Sequence, residues 1–71
     1  MREWLFELRK ANNLTLKEAG EKLGISESYY KMIEAGQRQQ NMDMVLIQKI
    51  SAAFEIPITK IFSLEMKQEG V

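Results

Sequence analysis

The chain has 71 residues, its ten basic and ten acidic side chains cancel at pH 7, and it contains neither cysteine nor histidine. This length allows one domain with a small core, and the composition excludes disulfides, thiolate metal sites and histidine-based catalysis. No apolar run approaches the roughly 18 residues that a membrane-spanning helix requires, so we expect a cytoplasmic protein. From the lack of cysteine and histidine we expect no metal site, and no cofactor is expected either. Net neutrality counts against nucleic-acid binding, but a basic face can coexist with acids elsewhere on the surface.

The first predicted helix runs from Glu3 to Ala11, where apolar residues recur every three or four positions. Asn12 and Asn13 follow it, and both residues tolerate the turn and left-handed conformations that end a helix. This pattern indicates an amphipathic helix that packs on the rest of the chain.

Two short helices joined by a tight turn are predicted next. The first starts with the capping-box spacing of Thr15 and Glu18 and ends at Gly24. The second starts at Ser26, a favourable N-cap, and ends at Gly36. So short a link between two helices requires a steep crossing angle.

Gly20 lies in the middle of the first of these two helices, where glycine costs roughly 1 kcal/mol relative to alanine. A close approach of the second helix would account for this glycine, and a tolerated substitution is the alternative. The second helix is expected to face the core with Tyr30 and Ile33 and to place Tyr29 and Met32 at the border.

A fourth helix is predicted after the polar, acid-free loop of residues 36–41, with Asn41 as its N-cap. Its expected apolar face consists of Met44, Val45, Ile47, Ile50, Ser51 and Phe54. This face is broad enough to close one side of a small core.

The last predicted helix covers residues 58–64, because Pro57 favours the first turn of a following helix. It is expected to bury Ile58, Ile61 and Phe62. We expect one domain over residues 1–65 and a flexible C-terminal tail over residues 66–71. The predicted fold class is therefore all-α, with five helices around one core.

The order of these residues resembles the Xre-type, lambda-repressor-like helix-turn-helix domains of phage repressors and bacterial regulators. The similar stretches are LRKANNLTLKEAGEKLGISESYYKMIEAGQRQ and, after an apolar helix, IPITKIF, so that the resemblance covers residues 4–62. Its most specific parts are Gly20, the turn 23–26, the segment 33–36, and the positions of Arg9 and Glu34. The resemblance implies a five-helix lambda-repressor-like fold and a sequence-specific, non-enzymatic transcription regulator of the repressor kind.

For DNA binding, the resemblance implies that helix 26–35 enters the major groove, where all base pairs are distinguishable. The implied base-reading residues are Glu27, Ser28, Tyr29, Lys31 and Met32. The implied phosphate contacts come from Gln37, Arg38 and Gln39, and Lys17 adds a cation on the same side.

Two residues of this implied interface admit other interpretations, and a third residue departs from the family pattern. Glu27 either accepts from a cytosine amino group, lies favourably at a helix N-terminus or repels phosphates. Met32 either touches a thymine methyl group or borders the core. Leu16 stands where the family commonly has a glutamine that reaches a phosphate, so one positioning contact is lost.

Arg9 and Glu34 occupy positions that pair in this family, and we expect a partly buried structural ion pair rather than a DNA contact. The resemblance also implies a homodimer, since about three cations per subunit bind DNA weakly and two subunits would neutralise about six phosphates. Such a dimer would read a palindromic operator in double-stranded DNA.

The expected dimer interface consists of Ile56, Ile58, Phe62 and Leu64. The alternative is that these residues only complete the core.

A second function class stays open beside the DNA-binding regulator. Leu16, Glu27 and the zero net charge are compatible with a protein-interaction module on the same scaffold, antitoxin-like or partner-regulated, with weak or no DNA binding. An enzyme is the least favoured class, because no nucleophile lies near a base and no glycine-rich phosphate loop is present. The sequence implies no membrane or small-molecule partner.

Overall fold

The computed structural model describes residues 1–38 and 42–69, and in these two segments the chain forms five α-helices and no strand. The helices are α1 (Glu3–Ala11), α2 (Leu16–Leu23), α3 (Glu27–Ala35), α4 (Met44–Phe54) and α5 (Ile58–Glu69). The prediction of an all-α fold with five helices is therefore confirmed. None of the helices in the described segments has the length and hydropathy of a membrane span.

The ends of α2 and α3 follow from local capping, as the sequence predicts. The Thr15 hydroxyl accepts from the backbone N–H of Glu18 at 3.1 Å, and the Glu18 carboxylate accepts from the backbone N–H of Thr15 at 2.8 Å. Ser26 caps the start of α3 with its hydroxyl. Gly24 and Gly36 close the two helices with φ angles of 76° and 82°, a left-handed conformation that glycine adopts without a steric penalty.

The core lies where the inner faces of all five helices meet. Its largest fully buried side chains are Leu5, Tyr30, Ile33, Ile50 and Ile61. Tyr30 and Ile33 come from α3, so the predicted inward face of that helix is confirmed. Burial of these side chains anchors α3 on one side and leaves its opposite side outside the core.

Gly20 is explained by the close packing of α2 on the start of α3. A Cβ at this position would lie 3.0 Å from the carbonyl oxygen of Ile25 and 3.2 Å from that of Ser26. Both contacts are to backbone atoms, which cannot move aside as a flexible side chain does. The predicted close approach is therefore present, and it lies at the turn between the two helices.

The start and the buried face of α4 differ from the prediction. Asn41 lies outside the described residues, and the N-cap of α4 is Asp43, whose carboxylate accepts from the backbone N–H of Leu46 at 2.8 Å. The buried residues of the helix are Leu46, Ile47, Ile50 and Phe54, with Ser51 partly buried. Met44 and Val45 are exposed, so their predicted burial is wrong. Val45 precedes Ile47 by two positions, about 200° around the helix, which turns it away from the buried side. Met44 is the first residue of the helix, and it is exposed there although it lies nearer the buried face.

The last helix is longer than predicted, because α5 continues past Leu64 to Glu69. Residues 65–69 contain only good helix formers, and the next glycine is at position 70. Ile61 is buried and Ile58 partly buried, but Phe62 is 42% exposed, so its predicted burial is wrong. Phe62 follows Ile61 by one position, about 100° around the helix, and therefore lies at the edge of the buried face. The expected flexible tail of residues 66–71 stays a prediction.

Candidate nucleic-acid interface

The outer side of α3 presents one continuous stripe, which we call the α3 stripe. It consists of Ser28, Lys31, Met32 and Ala35, all of them exposed. Their spacing of three, four and seven residues puts them on one face of the helix, opposite Tyr30 and Ile33. Three of these residues were predicted to read bases. Ala35 was not, because alanine has no polar group to suggest a contact, and only its helical spacing points to it.

Glu27 and Tyr29 lie on either side of the α3 stripe. Glu27 is exposed in the first turn of α3, where its charge is favourable at the positive end of the helix dipole. Tyr29 packs partly against the core and lines a shallow cleft with Ile25 and Leu46. The structure therefore brings three of the five predicted base-reading residues onto one face and places the other two at its margins.

The segment that follows α3 is wound closely against the end of that helix. The backbone N–H groups of Gln37 and Arg38 both donate to the carbonyl of Met32, at 2.9 and 3.2 Å. The side chains of Gln37 and Arg38 are exposed beside the α3 stripe's C-terminal end. Gln39, the third predicted phosphate contact, lies outside the described residues.

At the start of α2, Lys17 is exposed, as a phosphate contact requires. Its neighbour Glu18 has its carboxylate engaged by the backbone N–H of Thr15. Leu16 is only partly exposed and packs against the core. The first turn of α2 therefore exposes one cation and turns its apolar residue inward.

Arg9 and Glu34 form the ion pair that the sequence analysis expected. Arg9 Nε and Nη2 each donate to one Glu34 carboxylate oxygen at 3.0 Å, and Arg9 Nη1 donates to the carbonyl of Leu14 at 3.0 Å. The two side chains are only 9% and 8% exposed. The hydrogen bond to Glu34 raises the pKa of Arg9, although burial acts in the opposite direction. The pair joins α1 to α3 below the surface and does not reach the α3 stripe.

Tyr30 brings a buried hydroxyl close to this ion pair. Its side chain is fully buried, and the hydroxyl oxygen has no hydrogen-bond partner among the described residues. Burial raises the pKa of Tyr30 well above its usual value, and the negative charge of Glu34 adds to the effect. The neutral phenol is therefore the form that the folded protein stabilises.

We expect Tyr30→Phe to change the free energy of unfolding at pH 7 by less than about 1 kcal/mol in either direction, because it removes a buried hydroxyl that faces the Arg9–Glu34 ion pair without a hydrogen bond of good geometry. The folded-state pKa of Tyr30 lies above the unfolded value of 10.0, so the wild type loses stability as the pH rises above that value. The difference between variant and wild type should grow by about 1.4 kcal/mol per pH unit there. Urea unfolding at pH 7 and near pH 11 measures it. Parallel pH dependences of the two proteins would contradict the prediction.

Arg2 is a second buried arginine, and its burial was not predicted from the sequence. Arg2 is 2% exposed, and its guanidinium contacts the Glu65 carboxylate at 2.7–3.0 Å. The indole N–H of Trp4 donates to the same carboxylate at 2.8 Å. The one sequence signal for this cluster is Trp4, since a buried indole N–H requires an acceptor. The described residues contain no group of carboxylates arranged to hold a metal ion.

A family model described as helix-turn-helix matches residues 5–61. The match extends from the first turn of α1 to the first turn of α5. The chain belongs to the helix-turn-helix family. Its five helices have the lambda-repressor-like arrangement of the Xre type, and the family is one of DNA-binding regulators. No significant match was found among curated proteins or among solved structures.

In this helix-turn-helix protein, α2 and α3 form the motif, with residues 24–26 as the turn. The second helix of such a motif is the one that enters the major groove of DNA. The second helix here is α3, whose inner face is fixed by Tyr30 and Ile33 and whose outer face is the α3 stripe. Lys17 precedes the motif's turn and Arg38 follows its second helix, so exposed cations flank the stripe along the chain.

Proposed function

We propose that this protein is a sequence-specific transcription regulator, a repressor of phage or bacterial type, that binds a palindromic DNA operator as a homodimer. The observation that carries the proposal is the α3 stripe, an exposed face on the second helix of the motif that combines polar, apolar and small side chains. A DNA partner would place the protein in the cytoplasm.

The residues of the α3 stripe suit a major groove. The Lys31 ammonium would donate to guanine O6 and N7, and the Ser28 hydroxyl would donate to or accept from a base edge. Met32 would contact a thymine methyl group. Ala35 lacks a long side chain, so the C-terminal end of α3 could lie close to the DNA. Glu27 and Tyr29 would contribute from the margins of the stripe.

Phosphate contacts would fix the position of α3 in the groove. We assign them to Lys17, Gln37, Arg38 and Gln39. Lys17 lies at the start of α2, while the other three follow α3, so the contacts would flank the recognition helix on both sides. Such contacts supply affinity without sequence information and make binding depend on salt.

The dimer would form through α5, with Ile56, Ile58, Phe62 and Leu64 as its proposed interface. Phe62 is 42% exposed, and Met66, one turn further, is 69% exposed. Together with the partly buried Ile58 they form a row spaced by four residues along α5. Ile56 and Leu64 pack partly against the core, so they would contribute less area. A two-fold dimer would place two α3 helices about 34–36 Å apart, one turn of DNA.

A protein-interaction module is the alternative, and a specific observation favours it. Met44 and Val45 are exposed at the start of α4, where the sequence predicted burial, and they add apolar surface outside the α3 stripe. Leu16, which is turned toward the core, also removes one phosphate contact. A protein partner would bury such apolar residues, whereas they lie outside the face proposed to contact DNA.

Selection of bound sequences from a random DNA pool tests the proposed function. We expect palindromic sequences whose half-sites are separated by about one helical turn. Ser28→Ala with Lys31→Ala should then weaken binding to the selected site by about 10- to 100-fold. The slope of log affinity against log salt should change little, because both residues are assigned to base edges and the proposed phosphate contacts stay in place.

The matched control is Lys60→Ala with Ser63→Ala, which changes the same residue types at the same spacing on exposed positions of α5. Sedimentation must show that both double variants retain the wild-type oligomeric state. Equal losses of affinity in the two variants would contradict the assignment of α3 as the reading helix. No enrichment of any sequence at low salt would favour the protein-interaction module.

A further inference from the structure

The guanidinium of Arg2 connects three parts of the chain, and we call this cluster the Arg2 junction. Arg2 Nε donates to both Glu65 carboxylate oxygens at 2.9 and 3.0 Å, and Nη2 donates to one of them at 2.7 Å. Arg2 Nη1 donates to the carbonyl of Ile33 at 2.7 Å and to that of Arg38 at 3.3 Å. One side chain therefore bridges α5, the end of α3 and the segment that follows it.

The Arg2 junction is shielded from water and has further support. The side chains of Arg2 and Glu65 are 3% and 17% exposed. The backbone N–H of Arg2 donates to the carbonyl of Glu34 at 2.7 Å, and the Trp4 indole donates to Glu65 at 2.8 Å. Charge-assisted hydrogen bonds of this kind are strong in a buried environment.

The chemistry of the junction requires an arginine. Its planar fork offers several N–H groups in fixed directions, so it can hold a carboxylate on one side and two backbone carbonyls on the other. A lysine would keep the positive charge beside Glu65 but could not span both sets of acceptors. The Arg2 junction therefore depends on the geometry of the guanidinium group as well as on its positive charge.

We propose that Arg2 and Glu65 are positioning residues for DNA binding, which hold the backbone of residues 36–38 where the Arg38 side chain meets a phosphate. The proposal rests on the proposed function. Glu65 lies on α5, the helix of the proposed dimer interface, so the junction also links dimer contacts to the phosphate-binding segment. A shift of α5 would move the Arg38 carbonyl through Arg2.

Hydrogen exchange without DNA tests the first part of the proposal. The backbone N–H of Arg38 donates to Met32, so its exchange rate reports local opening of this segment. We expect Glu65→Gln to accelerate exchange at Arg38 by about tenfold relative to amides in the core. Glu7→Gln, an equal change of charge at an exposed position of α1, should leave this rate unchanged. An unchanged rate at Arg38 in Glu65→Gln would overturn the proposal.

A double-mutant cycle on DNA affinity tests the second part. Glu65→Gln should weaken binding of the selected DNA by about fivefold to tenfold in the wild-type background and by less than about twofold in an Arg38→Ala background. Equal losses in the two backgrounds would show a merely structural role and overturn the proposal. If Glu65→Gln fails to fold, Arg2→Lys replaces it in both experiments, with the same expected results.

The two experiments separate this proposal from the proposed function. If the wild type binds no DNA, the proposed function is wrong, and the role of the junction in DNA binding is wrong with it. The exchange experiment then still decides whether Glu65 holds residues 36–38. If the wild type binds DNA and the cycle shows no coupling, only the positioning role is wrong.

Discussion

Replacing Glu34 with alanine is expected to lower the free energy of unfolding by about 3–5 kcal/mol, because the Arg9 guanidinium is left buried without a counter-charge. Arg9 donates two hydrogen bonds to the Glu34 carboxylate at 3.0 Å, whereas its contacts with the carbonyl of Leu14 and the ring of Phe6 bring no negative charge. A domain of this size has a total stability at the low end of about 5–15 kcal/mol. The variant should therefore be partly unfolded at 37 °C.

Urea unfolding followed by circular dichroism measures this effect. Glu21→Ala is the matched control, since it removes the same side chain from an exposed position of α2 and should cost less than about 0.5 kcal/mol. Replacing the pair together, by Arg9→Met and Glu34→Leu, should recover most of the loss, because no buried charge then lacks a partner. A loss below about 1 kcal/mol in Glu34→Ala would show that the pair behaves like a surface ion pair.

The second large effect is expected at Gly20, where valine should destabilise the protein by about 2–3 kcal/mol through overpacking. Even a single Cβ would lie 3.0 Å from the carbonyl oxygen of Ile25, and valine adds two methyl groups to it. The backbone of the turn must move away from α2 to accept them. Such a movement also changes the angle at which α3 leaves the turn, so DNA affinity should fall in the fraction that stays folded.

Glu21→Val is the control for the change at Gly20. It places the same side chain one residue further along α2, at an exposed position, and should cost no more than about 0.7 kcal/mol through helix propensity. Thermal and urea unfolding of both variants give the comparison. Equal stabilities of the two valine variants would mean that the turn adapts to the added side chain, contrary to the prediction.

The two helices of the motif, α2 and α3, could be predicted from the sequence because their end signals are local. Thr15 and Glu18 satisfy each other across three residues, and Gly24 ends the helix that they begin. Ser26 similarly needs only its own helix to act as a cap. The scaffold of the motif therefore follows from short-range chemistry, and the resemblance to a known family added the pairing of Arg9 with Glu34.

The later helices show where local signals are insufficient. Asn41 and Asp43 are both good N-caps, and the sequence does not say which one is used. The structure uses Asp43, the choice that accompanies burial of Leu46 and exposure of Val45. Tertiary packing therefore determines which residue caps α4. It likewise determines the exposure of Phe62 at the edge of the buried face of α5. Periodicity alone cannot assign residues at the margin of an apolar face.

Part of the candidate site was also predicted from the sequence, and part of it was not. The family resemblance pointed to Ser28, Lys31 and Met32, and these three residues share one exposed face. The Arg2 junction left no comparable signal, because Arg2 and Glu65 are separated by 63 positions and each resembles an ordinary surface charge in the sequence. Contacts over such separations depend on the packed fold.

The contact between Trp4 and Glu65 gives the protein an intrinsic fluorescent probe of the docking of α5 on α1. Trp4 is the single tryptophan of the chain, and its indole N–H donates to a carboxylate 61 positions away. Indole emission responds to such a neighbouring charge, so fluorescence would follow the docking of α5 on α1 without any added label. Loop closure over this separation is slower than the formation of local helices. In stopped-flow refolding, the change in tryptophan emission would therefore show when α1 and α5 come into contact.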